Sequence, residues 1–115
     1  MSIYNYPSIV VTGLGPVTAI GYGKNDFWDG IKSGRSGAGM IQSFDTTLFT
    51  TKFACECLSL DVDAYITRRE KQRMDRFTHL AMVASCLAIE DAKIDLSNIN
   101  KDRVGVVVGS GIGGM

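Results

Sequence analysis

The chain has 115 residues, of which 45% are hydrophobic and 21% charged, a composition that allows one small globular domain with an ordinary core. Its twelve basic and twelve acidic side chains cancel, so no overall charge favours nucleic acid or an anionic membrane, and we predict neither as a partner. The apolar stretch near the N-terminus is interrupted by glycines and Pro16 and lacks a preceding basic region, which argues against a signal peptide or a membrane span and predicts a cytoplasmic location.

The first elements predicted along the chain are a strand and a helix. The β-branched run SIVVTGLG, residues 8–15, is typical of a buried strand that ends in glycines. Residues 25–34 predict a short helix, with Asn25 as its N-cap and Gly34 as its terminator. One face of this helix carries its large apolar side chains, which are Phe27, Trp28 and Ile31.

The second half of the chain predicts a long helix followed by a strand. Thr67 and Glu70 have the spacing of a capping box, and no glycine or proline interrupts residues 67–93. Asp75 is a second candidate cap, so we expect one break near it. An apolar stripe rich in small residues follows the helical period and would allow close packing against a sheet or another helix; it consists of Met74, Phe77, Ala81, Ala84, Ala88 and Ala92. After a turn, residues 103–111 predict another buried strand.

The order of these elements predicts an α/β fold. Strand, helix, irregular excursion, long helix and strand are typical of a sheet layer with right-handed crossovers. The sequence shows no internal repeat and no linker. A sheet of two long strands would leave both edges unpaired, so we expect the chain to be part of a larger domain.

The glycine turn at 109–114 has the G-x-G-x-x-G spacing of dinucleotide-binding folds and follows an apolar run. That motif normally occupies the first strand–helix turn, where this chain has Thr18 in place of the third glycine and Pro16 in place of an amide donor. We therefore favour a packing role, in which the glycines let backbone approach backbone, and keep nucleotide binding as the less favoured alternative.

The three cysteines are expected to be reduced thiols, because their number is odd and no export signal is present. Phe53, Cys55 and Cys57 alternate with other residues as in a short, partly exposed strand, which would turn both thiols the same way. A closed metal site needs four ligands and the chain has one histidine, His79, so we assign no metal ligands. Cys86 fits a small buried hydrophobe, and no cysteine has a base partner that would make it a nucleophile.

A cluster of basic residues marks the start of the long helix. Arg69 and Arg73 are four residues apart and would share one helical face. Two interpretations remain open: a solvated helix end, partly offset by Glu70 and Asp75, or a docking patch for an acidic or phosphorylated partner. The cluster consists of Arg68, Arg69, Lys71, Arg73 and Arg76.

Five segments, in their order and spacing, resemble the N-terminal part of one enzyme family. They are IVVTGLGPVTAIG, FWDGIKSGRSG, FDTTLFTTKFA, TRREKQRMDRF and RVGVVVGSGIGGM. The family is that of the β-ketoacyl-acyl carrier protein synthases (3-oxoacyl-ACP synthases), in particular the bacterial synthase II type. Ketosynthase domains of polyketide synthases, including inactive chain-length-factor relatives, are similar in the same segments. The resemblance runs from about Ile9 to Met115.

This resemblance implies a thiolase-like α/β fold of two duplicated halves, of which residues 1–115 supply the N-terminal part of the first and are incomplete alone. It implies a cofactor-independent acyltransferase that condenses acyl groups with malonyl-acyl carrier protein in fatty acid elongation. Acyl carrier protein would be the partner, and the full-length protein would be a homodimer. The family's nucleophilic cysteine and two histidines lie beyond Met115, so this chain holds no catalytic residue and is predicted to be inactive alone. A non-catalytic binding module of the chain-length-factor type is the alternative.

The resemblance also implies roles for two groups of residues. Gly111 and Ile112 match the loop that lines the acyl pocket, where an apolar lining suits a hydrocarbon that gains roughly 0.8 kcal/mol per buried methylene. Gln72 stands where the synthase II pattern usually has a basic residue, a charge that Lys71 could supply. The residues that match the carrier-protein docking surface are Arg68, Arg69, Lys71 and Arg73.

Overall fold

A computed structural model describes residues 7–114. In chain order they form β1 (Val17–Thr18), β2 (Gly21–Tyr22), α1 (Gly23–Lys32), β3 (Ala38–Met40), β4 (Phe53–Cys55), α2 (Arg68–Lys71), α3 (Arg76–Ala92) and a 3₁₀ turn at Lys101–Arg103. β1 pairs antiparallel with β2, and β3 pairs antiparallel with β4, so that Gly39 lies opposite Ala54. The predicted mixture of helices and strands is present, and β4 confirms the short, partly exposed strand at residues 53–55.

The two buried strands predicted for residues 8–15 and 103–111 are wrong. Neither segment forms a strand, and their apolar side chains face solvent, with Ile9 96% and Val107 99% exposed. A strand needs a neighbour to pair its backbone groups, and residues 7–114 supply none for either segment. The expected single layer with right-handed crossovers is therefore not formed by these residues. An apolar β-branched run indicates preference for a sheet interior but does not provide the adjacent strands.

The predicted first helix is confirmed, with a different start. α1 begins at Gly23 directly after β2, so Asn25 lies inside the helix and Tyr22 is the N-cap. The N–H of Tyr22 donates to the Asp26 carboxylate at 3.1 Å, so a side chain of the first turn provides the acceptor for this backbone donor at the helix start. At the other end Gly34 has φ +64°, and its backbone N–H donates to the Ile31 carbonyl. The backbone N–H of Arg35 donates to the Gly30 carbonyl. These two bonds make the glycine-terminated helix end that the sequence predicts.

The predicted long helix forms as two helices, α2 and α3, with the break where the sequence places it. Thr67 and Glu70 form the capping box in both directions, with Glu70 N–H to Thr67 Oγ1 at 3.4 Å and Thr67 N–H to the Glu70 carboxylate at 3.1 Å. Asp75 occupies the N-cap position of α3, although its side chain makes no capping bond. The ring of the buried His79 lies 3.0 Å from the Lys71 carbonyl oxygen and so connects α3 to the end of α2.

The small-residue stripe of α3 packs against residues 13–15, which we call the N-terminal glycine turn. A Cβ built on Gly13 would lie 2.7 Å from the Cβ of Ala92 and would overlap the Ala88 carbonyl oxygen. One built on Gly15 would overlap the Ala84 carbonyl oxygen. The glycines and alanines thus let two backbones come closer than larger side chains permit. The predicted close packing along this stripe is confirmed, but the glycines that make it lie in neither a sheet nor a helix.

The buried core of the described residues is small and lies under α3. Val83 is fully buried, and Val62 and Ile66, from the turn before α2, are each 3% exposed. His79 is the buried polar residue of this cluster. No helix within residues 7–114 is both long and apolar enough to span a membrane.

Candidate functional site

The basic cluster lies across the break between α2 and α3. Arg68, Arg69 and Lys71 lie in α2, Arg73 lies in the connecting turn, and Arg76 begins α3. The expectation that Arg69 and Arg73 share one helical face is therefore wrong, because α2 ends between them. Arg73 is instead held by its backbone N–H, which donates to the Glu70 carbonyl at 2.9 Å.

The members of the cluster differ in their contacts. Lys71 is half-buried and its Nζ lies 2.8 Å from the Asp63 carboxylate. Among residues 7–114, no carboxylate forms an ion pair with Arg68, Arg69 or Arg73, and all three side chains are exposed. We call these three residues the arginine surface. An anionic partner can reach them without first displacing an internal ion pair.

Glu70 adds one negative charge beside the arginine surface. Its hydrogen bonds with the Thr67 hydroxyl and then with the Thr67 N–H lower the pKa of its carboxyl below the ordinary 4.5. It is therefore ionised at neutral pH and offsets part of the local positive charge. The same bonds fix the start of α2, so the residue that reduces the charge also orients the helix that carries it.

A cleft of about 620 Å³ borders α2 on the side of the preceding turn. Arg68 and Lys71 both line it, whereas Arg69 and Arg73 do not. The Lys71–Asp63 ion pair lies at its wall. The structure thus brings two of the four predicted docking residues to one concave surface. The full lining is Asp63, Ile66, Thr67, Arg68, Lys71 and Gln72.

The glycine turn at 109–114 is open on most of its surface. Ile112 is 73% exposed, and a Cβ built on Gly111 would meet nothing within 4 Å. Gly113 has φ +76°, and its N–H donates to the Ser110 hydroxyl at 3.0 Å. Of the glycines in this turn Gly114 is closely packed, since a Cβ there would lie 2.5 Å from the Cγ of Asp75, whereas the approach of backbone to backbone occurs at Gly13 and Gly15.

The neighbouring part of the same segment does line a cleft. Val108, Gly109 and Ser110 face α3 across a space of about 290 Å³. Gly111 and Ile112 do not line this space. The helix contributes the apolar wall, from Phe77, Leu80, Ala81 and Ala84, with Val17 beside them.

The three cysteines differ in their exposure. Cys55 is exposed, and Cys57 and Cys86 are half-buried with free thiols. Burial raises the pKa of the Cys57 thiol, an effect that the Arg76 guanidinium partly opposes, so its thiolate form is disfavoured at neutral pH. Within residues 7–114, no three histidine, cysteine or carboxylate side chains are grouped as a metal site would need.

Two features were missed by the sequence analysis. The carboxylate of Asp91 accepts the N–H of Leu14 at 3.0 Å and forms an ion pair with Lys24, which connects the end of α3 to the N-terminal turn and to α1. Nothing in the local pattern around Asp91 indicates partners so distant in sequence. The second feature is an apolar groove of about 620 Å³ between that turn and α1, lined by Leu14, Gly15, Pro16, Lys24, Asn25, Phe27 and Trp28.

Comparison with known proteins places these features in a family. Residues 7–115 match the family described as "Beta-ketoacyl synthase, N-terminal domain". Proteins named 3-oxoacyl-[acyl-carrier-protein] synthase 2 are 44% identical in Synechocystis and 37% identical in Staphylococcus aureus, each over 107 residues that cover 93% of this chain and 26% of the relative. The chain therefore spans about a quarter of the length of these curated relatives.

A solved structure agrees with the sequence matches. The structure described as "The ishigamide ketosynthase/chain length factor" superposes with a TM-score of 0.72 at 32% identity, and the match covers 78% of this chain and 22% of that one. At this identity and coverage the likeness supports the thiolase-like ketosynthase fold, with which the mixed α and β content of residues 7–114 is compatible. The chain belongs to the β-ketoacyl synthase family and corresponds to its N-terminal domain.

Proposed function

We propose that this chain is the N-terminal part, within the first α/β half, of a 3-oxoacyl-acyl carrier protein synthase that condenses acyl groups with malonyl-acyl carrier protein in fatty acid elongation. The observation that carries the proposal is the match of residues 7–115 to the family, with synthase 2 relatives at 37–44% identity. We assign the chain a share of carrier docking and of the acyl pocket, and no catalytic residue. The full-length protein is expected to be a cytoplasmic homodimer and to need no cofactor.

Carrier docking is assigned to Arg68, Arg69, Lys71 and Arg73. The arginine surface is exposed and lacks internal ion pairs among the described residues, while Lys71 is held by Asp63. We therefore expect the three arginines to carry most of the attraction and Lys71 to shape the cleft beside them. An acidic partner would be attracted over several ångströms at low ionic strength, and salt would weaken that attraction.

The test is a charge reversal with a matched control. Arg69→Glu combined with Arg73→Glu removes two attractions and adds two repulsions, so we expect affinity for acyl carrier protein to fall about tenfold or more at low salt. Lys52→Glu combined with Lys101→Glu makes the same change in net charge at exposed sites outside the cluster, and should alter affinity far less. If the arginine variant binds as tightly as the wild type at low salt, the cluster is only a solvated surface.

The acyl pocket is assigned to Gly111 and Ile112. Support comes from the family match, which includes both residues, and from the open apolar surface that Ile112 presents. If Ile112 contacts the growing chain, a larger side chain there should shorten the longest acyl group that is accepted. Ile112→Phe, placed in a protein that joins this chain to the rest of a synthase 2 relative, should shift the products to shorter chains. An unchanged product length would remove Ile112 from the pocket.

A second candidate is a non-catalytic module of the chain-length-factor type. A structural neighbour at TM-score 0.72 is described as a ketosynthase/chain length factor, which favours keeping this alternative. The two candidates differ in covalent chemistry. A full-length synthase incubated with labelled acyl-carrier protein should retain the acyl group on a cysteine, whereas a non-catalytic relative should bind the carrier and retain no label. The third candidate, nucleotide binding, is disfavoured by the family match.

A further inference from the structure

The helix α2 is too short to keep its position by itself. It has four residues, Arg68–Lys71, which make a single helical turn. Helices shorter than about 12 residues are marginal in water on their own, because the cost of starting a helix is recovered only over many residues. The orientation of α2 therefore depends on contacts with its surroundings. The docking assignment depends on it too, because Arg69 lies in α2 and Arg73 follows two residues after its end.

The start of α2 is fixed locally, whereas its end is fixed from α3. Thr67 and Glu70 form the capping box at the start. The last carbonyl groups of a helix have no partner inside it. The carbonyl oxygen of Lys71, the last residue of α2, lies 3.0 Å from Nε2 of His79, and the Met74 N–H reaches the same oxygen only at 3.5 Å. A carbonyl oxygen only accepts, so Nε2 donates, and the imidazole provides the closer partner for this helix end.

His79 is itself held in place by the buried cluster under α3. Its exposed fraction is 8%, and Val83, one helical turn later, is fully buried. Its backbone N–H donates to the Asp75 carbonyl at 3.2 Å, within the first turn of α3. A side chain packed in this way has few rotamers open to it. The hydrogen bond therefore fixes the end of α2 relative to a helix of 17 residues.

We propose that His79 is a positioning residue for carrier docking, which acts through the Lys71 carbonyl to hold the arginine surface in the orientation that an acidic partner meets. The inference rests on the proposed function. The ring is buried and so acts without touching the partner. Arginines on a fixed segment lose less conformational entropy on binding than arginines on a mobile one, and this difference is the contribution of His79 to affinity.

The experiment replaces the imidazole by two amides of different reach. The side-chain nitrogen of glutamine is as many bonds from Cβ as Nε2 of histidine, whereas the nitrogen of asparagine matches Nδ1. His79→Gln can therefore keep the bond to the Lys71 carbonyl, and His79→Asn cannot. Both new side chains are neutral amides, so the two variants differ from each other in reach and not in charge.

Affinity for acyl carrier protein is measured at low salt in a protein that joins this chain to the rest of a synthase 2 relative. We expect His79→Asn to weaken affinity about three- to tenfold, the cost of ordering one or two freed side chains again. His79→Gln should stay within about twofold of wild type, by the same reasoning. The amides of residues 71–73, which close the end of α2, should exchange hydrogen faster in His79→Asn and not in His79→Gln.

Two controls separate positioning from a general loss of stability. Gly15→Ala disturbs α3 at Ala84 and Ala88, on later turns than His79, so it should lower Tm without changing affinity. In an Arg73→Ala background, His79→Asn should weaken affinity less than it does in wild type. Part of the surface that the imidazole positions is then already absent, so the two effects are not additive.

The charge-reversed variant Arg69→Glu with Arg73→Glu distinguishes failure of this role from failure of the docking assignment. When that variant loses affinity, wild-type affinity in His79→Asn overturns the positioning role and leaves the docking assignment in place. Equal losses in His79→Asn and His79→Gln, or a matching loss in Gly15→Ala, also overturn it, because the effect then follows stability. If the charge-reversed variant binds as wild type does, carrier docking at this surface is refuted, and the role of His79 with it.

Discussion

Replacing Gly15 by alanine places a methyl group inside the contact between the N-terminal glycine turn and α3. The new Cβ would lie 2.5 Å from the Ala88 nitrogen and 3.1 Å from the Ala84 carbonyl carbon, and would overlap the Ala84 carbonyl oxygen. All three neighbours are helix backbone atoms, which cannot rotate away as a side chain can. The turn must therefore shift outward until carbon contacts return to roughly 3.5 Å.

The cost follows from the size of that shift. Overpacking by one methyl group in a close contact costs roughly 1–3 kcal/mol. Gly15 does not have a positive φ, so alanine fits its backbone and reduces the entropy of the unfolded chain by roughly 0.4–1 kcal/mol. The difference is a net destabilisation of about 1–2 kcal/mol. For a chain of this size, that lowers Tm by about 4–8 °C.

The assay is thermal and urea unfolding, followed by the fluorescence of Trp28. This residue is the single tryptophan of the chain, and it lines the same groove as Gly15. Gly109→Ala is the matched control, because Gly109 also lacks a positive φ and a Cβ there meets nothing within 4 Å. We expect the control to keep the wild-type Tm or raise it slightly. Equal Tm values for the two variants would refute the packing of the glycine turn against α3.

Three further predictions concern α2, Asp91 and activity. Thr67→Ala removes the capping box of α2 and should lower the free energy of unfolding by about 1 kcal/mol; in urea titrations Thr67→Ser should retain most of it. Hydrogen bonding first to Lys24, and then to the N–H of Leu14, lowers the pKa of Asp91 below the ordinary 3.8. Its stabilisation should therefore be present above about pH 4 and be lost as pH falls through the lowered value, so the advantage of wild type over Asp91→Asn in urea midpoint should shrink on acidification; a pH-independent difference would contradict this origin. The 115-residue chain alone should form no β-ketoacyl product from acyl- and malonyl-carrier protein, and detected carbon–carbon bond formation would contradict the absence of catalytic residues.

Local signals in the sequence predicted the helices well. The capping box at Thr67, the break at Asp75 and the terminator Gly34 each depend on atoms within five residues of one another, so the sequence contains the whole interaction. The small-residue stripe of α3 also predicted close packing, because only small side chains permit it. Its partner could not be predicted, since helical periodicity does not indicate which backbone fills the space.

The strands were predicted poorly for a physical reason. The segments that contain Ile9 and Val107 have the composition of buried strands, but a strand forms only when a neighbouring chain segment pairs with it. That pairing depends on residues distant in sequence, and none within 7–114 provides it. The end of α2 was also not predictable from spacing alone. Arg69 and Arg73 are spaced as if on one helical face, but α2 ends before Arg73.

The bonds made by Asp91 have a consequence for the order in which the chain folds during synthesis. Leu14 leaves the ribosome 77 residues before the carboxylate that receives its N–H. At a translation rate of roughly 5–20 residues per second, about 4–15 s pass between the synthesis of the N-terminal glycine turn and the synthesis of Asp91 in α3. During that interval Gly13 and Gly15 lack the α3 backbone that they contact in the folded chain, at a stage when the nascent chain is open to chaperones. Synonymous codons that slow translation between residues 15 and 91 would lengthen this exposure without changing a single side chain.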